Sequence, residues 1–251
     1  MFAQIVDIFK LRIGVLMAVT ALAGFAVTPG QSLSSLQMLA LALTVLGASA
    51  AAGAFNQYAE KDLDARMERT KKRAFVTGAA SHNKGWLWLI AGLLLLSVGL
   101  ASWIFNIAVG FHVFMGAFIY GVIYTLWLKR RTAWNIVGAA GSFAVLAGSA
   151  AADSALSMPS ILLAVVLFLW TPPHFWALAI ALHKDYAAAG VPMLPVVKGD
   201  DAAAKIILLN IIVLVAVSLL PGFYGMGWVY LAGASIGGTY FIYKGIHLVQ
   251  N

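Results

Sequence analysis

Apolar runs of about twenty residues constrain this chain more than any other feature, because that is the length a helix needs to cross a bilayer. Eight are present, at roughly 11–27, 36–55, 86–105, 107–128, 134–151, 160–182, 206–220 and 227–243. The seventh is the shortest, with soft borders. Lipid offers no partner to a free backbone N–H or C=O, so a spanning segment is either a helix or a strand of a closed barrel. Barrel strands would appear as alternating segments of about ten residues. These runs are twice that long. The expected fold class is therefore all-α, a polytopic membrane protein with eight transmembrane helices. Composition agrees: 10% of the residues are charged, against about 25% in a soluble domain. There is no cysteine, which excludes disulfides, thiolate metal sites and a cysteine nucleophile.

A net charge of +7 would suit a nucleic-acid partner in a soluble chain. Here its distribution has another cause. All 16 Lys and Arg residues lie at the two ends or on alternate connections: Lys10 and Arg12; Lys61, Arg66, Arg69, Lys71, Lys72, Arg73 and Lys84; Lys129, Arg130 and Arg131; Lys184, Lys198 and Lys205; and Lys244. The intervening connections have none. By the positive-inside rule, both termini and every basic loop are expected in the cytoplasm. No nucleic acid needs invoking. The first run has a basic start and apolar centre, as a signal peptide does, but it is long for one and is expected to stay as a span. The two longest connections, 56–85 and 183–205, lie four spans apart on the basic side. They suggest a single domain, 1–251, made of two four-helix halves in parallel repeat. Each half would send a cap over one mouth of a central cavity open to the cytoplasmic side.

The chemistry concentrates where the second run ends. Asn56, Glu60 and Asp64 are spaced by four. Four residues advance about 40° round a helix and about 6 Å along it, so the three side chains form one stripe. Asp62 lies on the other side. Arg66, Arg69, Lys71, Lys72 and Arg73 follow at once. Carboxylates suit Mg²⁺, and Lys and Arg suit phosphate oxygens. Charges at the end of a membrane helix also serve simply as a solvated face with positive anchors. The motif alone leaves both readings open.

Other even-numbered runs bring polar groups to the same side. The sixth holds Pro172 and Pro173, expected to break the backbone ladder where the freed carbonyls face protein or a wet cavity. His174 comes next. An ionisable group at that depth defaults to a site candidate, although a packed, hydrogen-bonded histidine is the plainer alternative. Lys184, Asp185 and Tyr186 are expected at the mouth. The fourth run ends with Tyr120 and Tyr124, one turn apart on one face, then Lys129 and Arg130. Tyr120 lies deeper and is the better candidate for lining a cavity. Lys129 and Arg130 reach a phosphate or act as anchors. Asn135 is expected to start the fifth span. The odd-numbered runs contribute little. Charges at one mouth above apolar, aromatic walls fit an amphipathic ligand with an anionic head, such as an allylic diphosphate. Its chemistry calls for Mg²⁺ on the leaving diphosphate and a dry pocket for the cation that forms.

These residues resemble a known family. Asn56-Gln-Tyr-Ala-Glu-Lys-Asp-Leu-Asp64 is similar to the N-x-x-x-D-x-x-x-D motif of the UbiA-type intramembrane prenyltransferases. Met67-x-Arg-Thr-x-x-Arg73 looks like their heme O synthase (protoheme IX farnesyltransferase) branch. So do Tyr124-Thr-x-x-Leu-Lys-Arg-Arg-Thr132, Thr171-Pro-Pro-His-Phe-Trp-Ala-Leu-Ala179 and Asp185-Tyr-x-x-Ala-Gly-Val-Pro-Met-Leu-Pro-Val-Val197. The matches run from the first span to about Asn210. The resemblance implies nine helices round a lipid-accessible cavity in a bacterial-type inner membrane. It implies transfer of a farnesyl group from farnesyl diphosphate to a vinyl group of heme b, with addition of water, to give heme O and diphosphate. By position it implies that Asn56, Glu60 and Asp64 hold Mg²⁺–diphosphate, and that Arg66, Arg69, Arg73, Lys129 and Lys184 hold phosphate oxygens. Asp185 would be a ligand for a second Mg²⁺. Tyr120 and His174 join the catalytic candidates, His174 facing the heme as ligand or proton handler. Membrane lipid, and heme A synthase or a terminal-oxidase assembly factor, are the implied partners.

Three departures stand out. Glu60 replaces the usual Asp, keeping the carboxylate. Ala144-Val145 stands where the branch has a Pro pair. Eight runs are present where the family has nine helices. The alternatives to this activity are a UbiA-type enzyme acting on a quinone precursor, a heme or lipid transporter, and a purely structural assembly partner.

Overall fold

The computed structural model describes residues 2–135 and 140–250, and every regular element among them is helical. In chain order they are α1 (Phe2–Ile8), α2 (Leu11–Ala26), α3 (Ser35–Ala59), α4 (Lys61–Asp64), α5 (Ala74–Thr77), α6 (Gly85–Ile104), α7 (Ile107–Phe118), α8 (Ala140–Ala152), α9 (Met158–Ala181), α10 (His183–Ala188), α11 (Leu194–Lys198), α12 (Asp200–Leu219) and α13 (Trp228–Gln250). A π-helical segment, Ile119–Leu128, continues α7. A helix stands at each of the eight expected spans. Among the described residues, five helical segments are long and apolar enough to cross a membrane by themselves: 35–59, 85–104, 107–128, 158–181 and 200–224. Two apolar helices, α2 and α8, are shorter.

Local sequence explains the ends. Ser34 accepts from the Gln37 N–H, while Gln37 reaches back to the Ser34 N–H, a reciprocal cap that satisfies donors at the start of α3. Asn106 caps α7 through the Val109 N–H, and Ser157 caps α9 ahead of Pro159. Pro has no N–H to leave unsatisfied in a first turn.

The helices pack as a series. α13 rests on α12, α12 on α9, α9 on α8, and α8 meets α2 and α7, which both flank α3. Between α2 and α8 the backbones nearly touch. A Cβ placed on Gly148 would lie 1.7 Å from the Ala21 carbonyl oxygen, and one on Gly24 would lie 2.2 Å from that of Val145. Lipid tails are as apolar as leucine, so membrane helices associate through such close packing and through interhelical hydrogen bonds. Thr28 and Ser149 share a hydrogen bond of 2.9 Å, Ser149 and Ser160 share one of 2.7 Å, and Ser142 donates to the Ala164 carbonyl at 2.7 Å. Ala144 and Val145 are buried in this seam.

At the basic end the two long connections pack against each other. Leu63 and Met67 from the first join Tyr186, Val191, Met193 and Leu194 from the second in one buried cluster with Trp176 and Ile207.

Pro172 and Pro173 take two N–H donors out of the backbone ladder, as expected, while α9 runs on through both. Three expectations need correcting. The seventh span is not short, because α12 begins at Asp200 and has 20 residues. Asn135, expected to start the fifth span, lies in a turn, fully buried with its N–H on the Thr132 carbonyl; residues 136–139, which follow it in that span, lie outside the described residues. Asn56, Glu60 and Asp64 do not share one unbroken helix. α3 ends at Ala59, and Glu60 leaves helical geometry with φ −101° and ψ 15°.

Candidate active site

The four-residue spacing survives that break. The Glu60 N–H still donates to the Asn56 carbonyl at 3.0 Å, and the Asp64 N–H to that of Glu60 at 2.8 Å. The three side chains therefore stay on one side of the chain. They are not a solvated face: Asn56, Glu60 and Asp64 are 2%, 1% and 2% exposed. A buried carboxylate is tolerated only when paired, and each is. Lys129 donates to Glu60 Oε2 at 2.5 Å. Arg73 donates from one nitrogen to both oxygens of Asp64 at 2.8 Å. Thr70 holds the turn by donating to the Asp64 carbonyl at 3.0 Å.

Asn56 has a cation too, from an unexpected place. Lys10, between α1 and α2, donates to Asn56 Oδ1 at 2.6 Å and to the Tyr120 hydroxyl at 2.8 Å. Sequence reasoning counted Lys10 only among the basic residues ahead of the first span. No local signal separates the two roles, since a basic residue ahead of an apolar run is what the positive-inside rule predicts. Burial first, and Arg73 next, push the Lys10 ammonium down to about 8, with Glu60 and Asp64 acting the other way.

The π-helical segment brings the opposing wall into register. Nine residues of α-helix turn through about 180° beyond full turns, which would set Tyr120 and Lys129 on opposite sides. Bonding five residues back instead of four turns the chain by only about 80° per residue, so the two point to nearly the same side. The Lys129 N–H accordingly donates to the Tyr124 carbonyl, five back, at 2.9 Å. Tyr120 and Tyr124 stack with ring centroids 5.6 Å apart. The ammonium groups of Lys10 and Lys129 lie 5.3 and 5.8 Å from the centroids of Tyr120 and Tyr124.

The remaining candidates divide. Asp185 Oδ2 accepts from the Arg69 backbone N–H at 3.3 Å, tying the two long connections together. Tyr186 is buried beside it; burial pushes its phenol up, with nearby Arg69 acting the other way. A hollow of about 270 Å³ is lined by residues 180–185, including Lys184 and Asp185. Arg66 and Lys184 are exposed. His174 is exposed and stacks on Trp170, with ring centroids 4.4 Å apart. Its other ring contact is with Phe175, so it stands apart from the buried cluster. Asp62, on the far side as expected, pairs with Arg130 through two bonds of 2.8 Å, and this partner holds its carboxyl below the usual range.

The donor set fits Mg²⁺. Asn56, Glu60 and Asp64 present oxygen only, which a hard cation prefers. Glu60 Oε1 is buried with no hydrogen-bond partner among the described residues. Among those residues no group of three or more His, Cys, Asp or Glu side chains could hold a metal by itself. Two carboxylates and an amide would need further oxygens from a bound phosphate, the usual manner of Mg²⁺ binding.

The model of the UbiA prenyltransferase family matches residues 17–251. The chain belongs to this family. Within it, the chain is 54% identical over 246 residues to "Protoheme IX farnesyltransferase 2" of Paramagnetospirillum magneticum, covering 97% of this chain and 85% of that one. It is 43% identical to "Protoheme IX farnesyltransferase 1" of the same organism, covering 100% and 89%. Its fold is similar to that of a UbiA homolog from Archaeoglobus fulgidus bound to DMAPP and Mg²⁺, with a TM-score of 0.79 at 16% identity, covering 97% of this chain and 86% of that one. A digeranylgeranylglyceryl phosphate synthase is similar at a TM-score of 0.80 and 18% identity, covering 100% and 88%.

Proposed function

We propose that the chain transfers a farnesyl group from farnesyl diphosphate to a vinyl group of heme b, with addition of water, giving heme O and diphosphate. The observation that carries this is the buried cluster in which Asn56, Glu60 and Asp64 face Lys10, Lys129 and Arg73. The names of the relatives at 54% and 43% identity supply farnesyl and protoheme as the substrates.

Asn56, Glu60 and Asp64 would hold Mg²⁺, with Asp185 as the candidate ligand for a second ion. The metal supplies neutralisation of the charge that builds on the leaving diphosphate. This chain's own residues do the rest. Lys10, Lys129 and Arg73 hold phosphate oxygens, and Arg69, Arg66 and Lys184 attract the diphosphate at the mouth. Lys129 and Arg73 pass from carboxylate to phosphate as it enters. Tyr120 and Tyr124 wall the site with aromatic faces, which suit an allylic cation and exclude water. The C–O bond breaks and the electron pair leaves with diphosphate. The vinyl π-bond attacks the allylic carbon, and water adds to the cation beside the porphyrin, losing a proton. His174, outside the cluster, is the candidate heme contact. The connections 56–85 and 183–205 cap the site. By the positive-inside rule it faces the cytoplasm, with the protein in a bacterial-type inner membrane. Heme A synthase or an oxidase assembly factor would receive the product.

Mass analysis of heme extracted from cells expressing this chain tests the proposal. A farnesylated, hydrated heme supports it; unchanged heme b refutes it.

A further inference from the structure

Thr125 lies in the π-helical segment and is 1% exposed. A hydroxyl has one proton to give. Thr125 gives it to the Tyr120 carbonyl at 2.8 Å, an oxygen with no proton to return. Toward Asn56 the hydroxyl can therefore only accept, and Asn56 Nδ2 donates to it at 2.9 Å. The other end of the amide meets Lys10, a donor only, at 2.6 Å from Oδ1. Both neighbours require the same orientation of the Asn56 amide: nitrogen toward Thr125, oxygen toward the cluster.

We propose that Thr125 is a positioning residue for Asn56, keeping the amide oxygen turned toward the cation site. This rests on the Mg²⁺–diphosphate reading above. An amide nitrogen cannot ligate a hard cation, so a flipped Asn56 would present two N–H donors where an acceptor is needed. The Lys10 contact does not hold the orientation once substrate is bound, because the ammonium is then drawn to phosphate. Thr125 is the partner that stays. Its reach depends on the π register, which brings the Thr125 hydroxyl onto the carbonyl five residues back.

The test is metal affinity, measured without turnover. Mn²⁺ is titrated by electron paramagnetic resonance into purified protein in detergent, saturated with unreactive farnesyl thiodiphosphate. Thr125→Val and Thr125→Ala, which lose the hydroxyl with and without the side-chain volume, should weaken Mn²⁺ binding about tenfold or more, as loss of a group orienting a ligand does. Thr125→Ser should bind like the parent. In Asn56→Asp the two carboxylate oxygens are equivalent, so adding Thr125→Val should cost no more than about twofold, less than the orienting loss. Unchanged affinity in the Val and Ala variants overturns the proposal. So does an equal loss in the Asn56→Asp background, since that marks a merely structural role. If the parent itself fails to bind Mn²⁺ with the analogue, the underlying diphosphate reading falls, a result distinct from parental binding that ignores residue 125.

Discussion

Replacing Glu60 by Gln separates what the buried ion pair does for the fold from what it does for the reaction. Glu60 and Lys129 are 1% and 11% exposed at their side chains, 2.5 Å apart. Glu60→Gln keeps the shape but strands the ammonium, and removing one member of a buried pair costs about 3–5 kcal/mol. At roughly 2–4 °C per kcal/mol for a chain of this size, the melting temperature should fall by about 6–20 °C. Lys129→Met should also cost stability, because it leaves the buried Glu60 carboxylate without its partner. The double variant removes both charges, and with them the uncompensated buried charge that makes either single change costly. It should recover at least half of the loss. Thermal unfolding of detergent-purified protein, followed by tryptophan fluorescence, measures all three, and diphosphate release is assayed alongside. The double variant should be stable and inactive. Parental melting of Glu60→Gln would show that the pair does not form. Full turnover by the stable double variant would remove both residues from the machinery.

Other outcomes follow from the same geometry. Asp64→Ala should lose turnover even at saturating Mg²⁺, with Arg73 stranded; full rates there would end the metal assignment. Lys10→Met should raise KM for farnesyl diphosphate about tenfold or more by losing a charged hydrogen bond, whereas Arg66→Ala, at an exposed position of the mouth, should raise it less; steady-state kinetics compares them. His174→Ala should raise KM for heme b and leave that for farnesyl diphosphate unchanged, because His174 stands outside the cluster; equal changes in both would refute its separate placement. Gly148→Val should abolish the folded yield on purification, since even a Cβ there lies 1.7 Å from the Ala21 carbonyl.

Much of the buried cluster was legible in the chain because its acidic half is local. Asn56, Glu60 and Asp64 lie within nine consecutive residues, and their spacing survives the end of α3. Arg73 follows nine residues after Asp64, but the sequence reading gave it to phosphate and not to that carboxylate. The register of the wall at Tyr120 was not legible. Tyr120 and Tyr124 look like one α-helical turn, and nothing local announces a helix bonded five residues back. Thr125 was passed over for the same reason, since a threonine near the end of an apolar run reads as filler until its hydroxyl is seen between two partners.

Lipid sets the one strict rule that a sequence can be read against. A segment with no water around it must satisfy its own backbone. Membrane class and helical architecture were therefore settled by residue order alone. Which cation meets which acceptor was not. Lys10 reaches Asn56 across 46 positions and Tyr120 across 110, and Lys129 reaches Glu60 across 69. Such pairings exist only once α3 and the segment after α7 are packed together, because a charge finds its partner by distance in space and not along the chain.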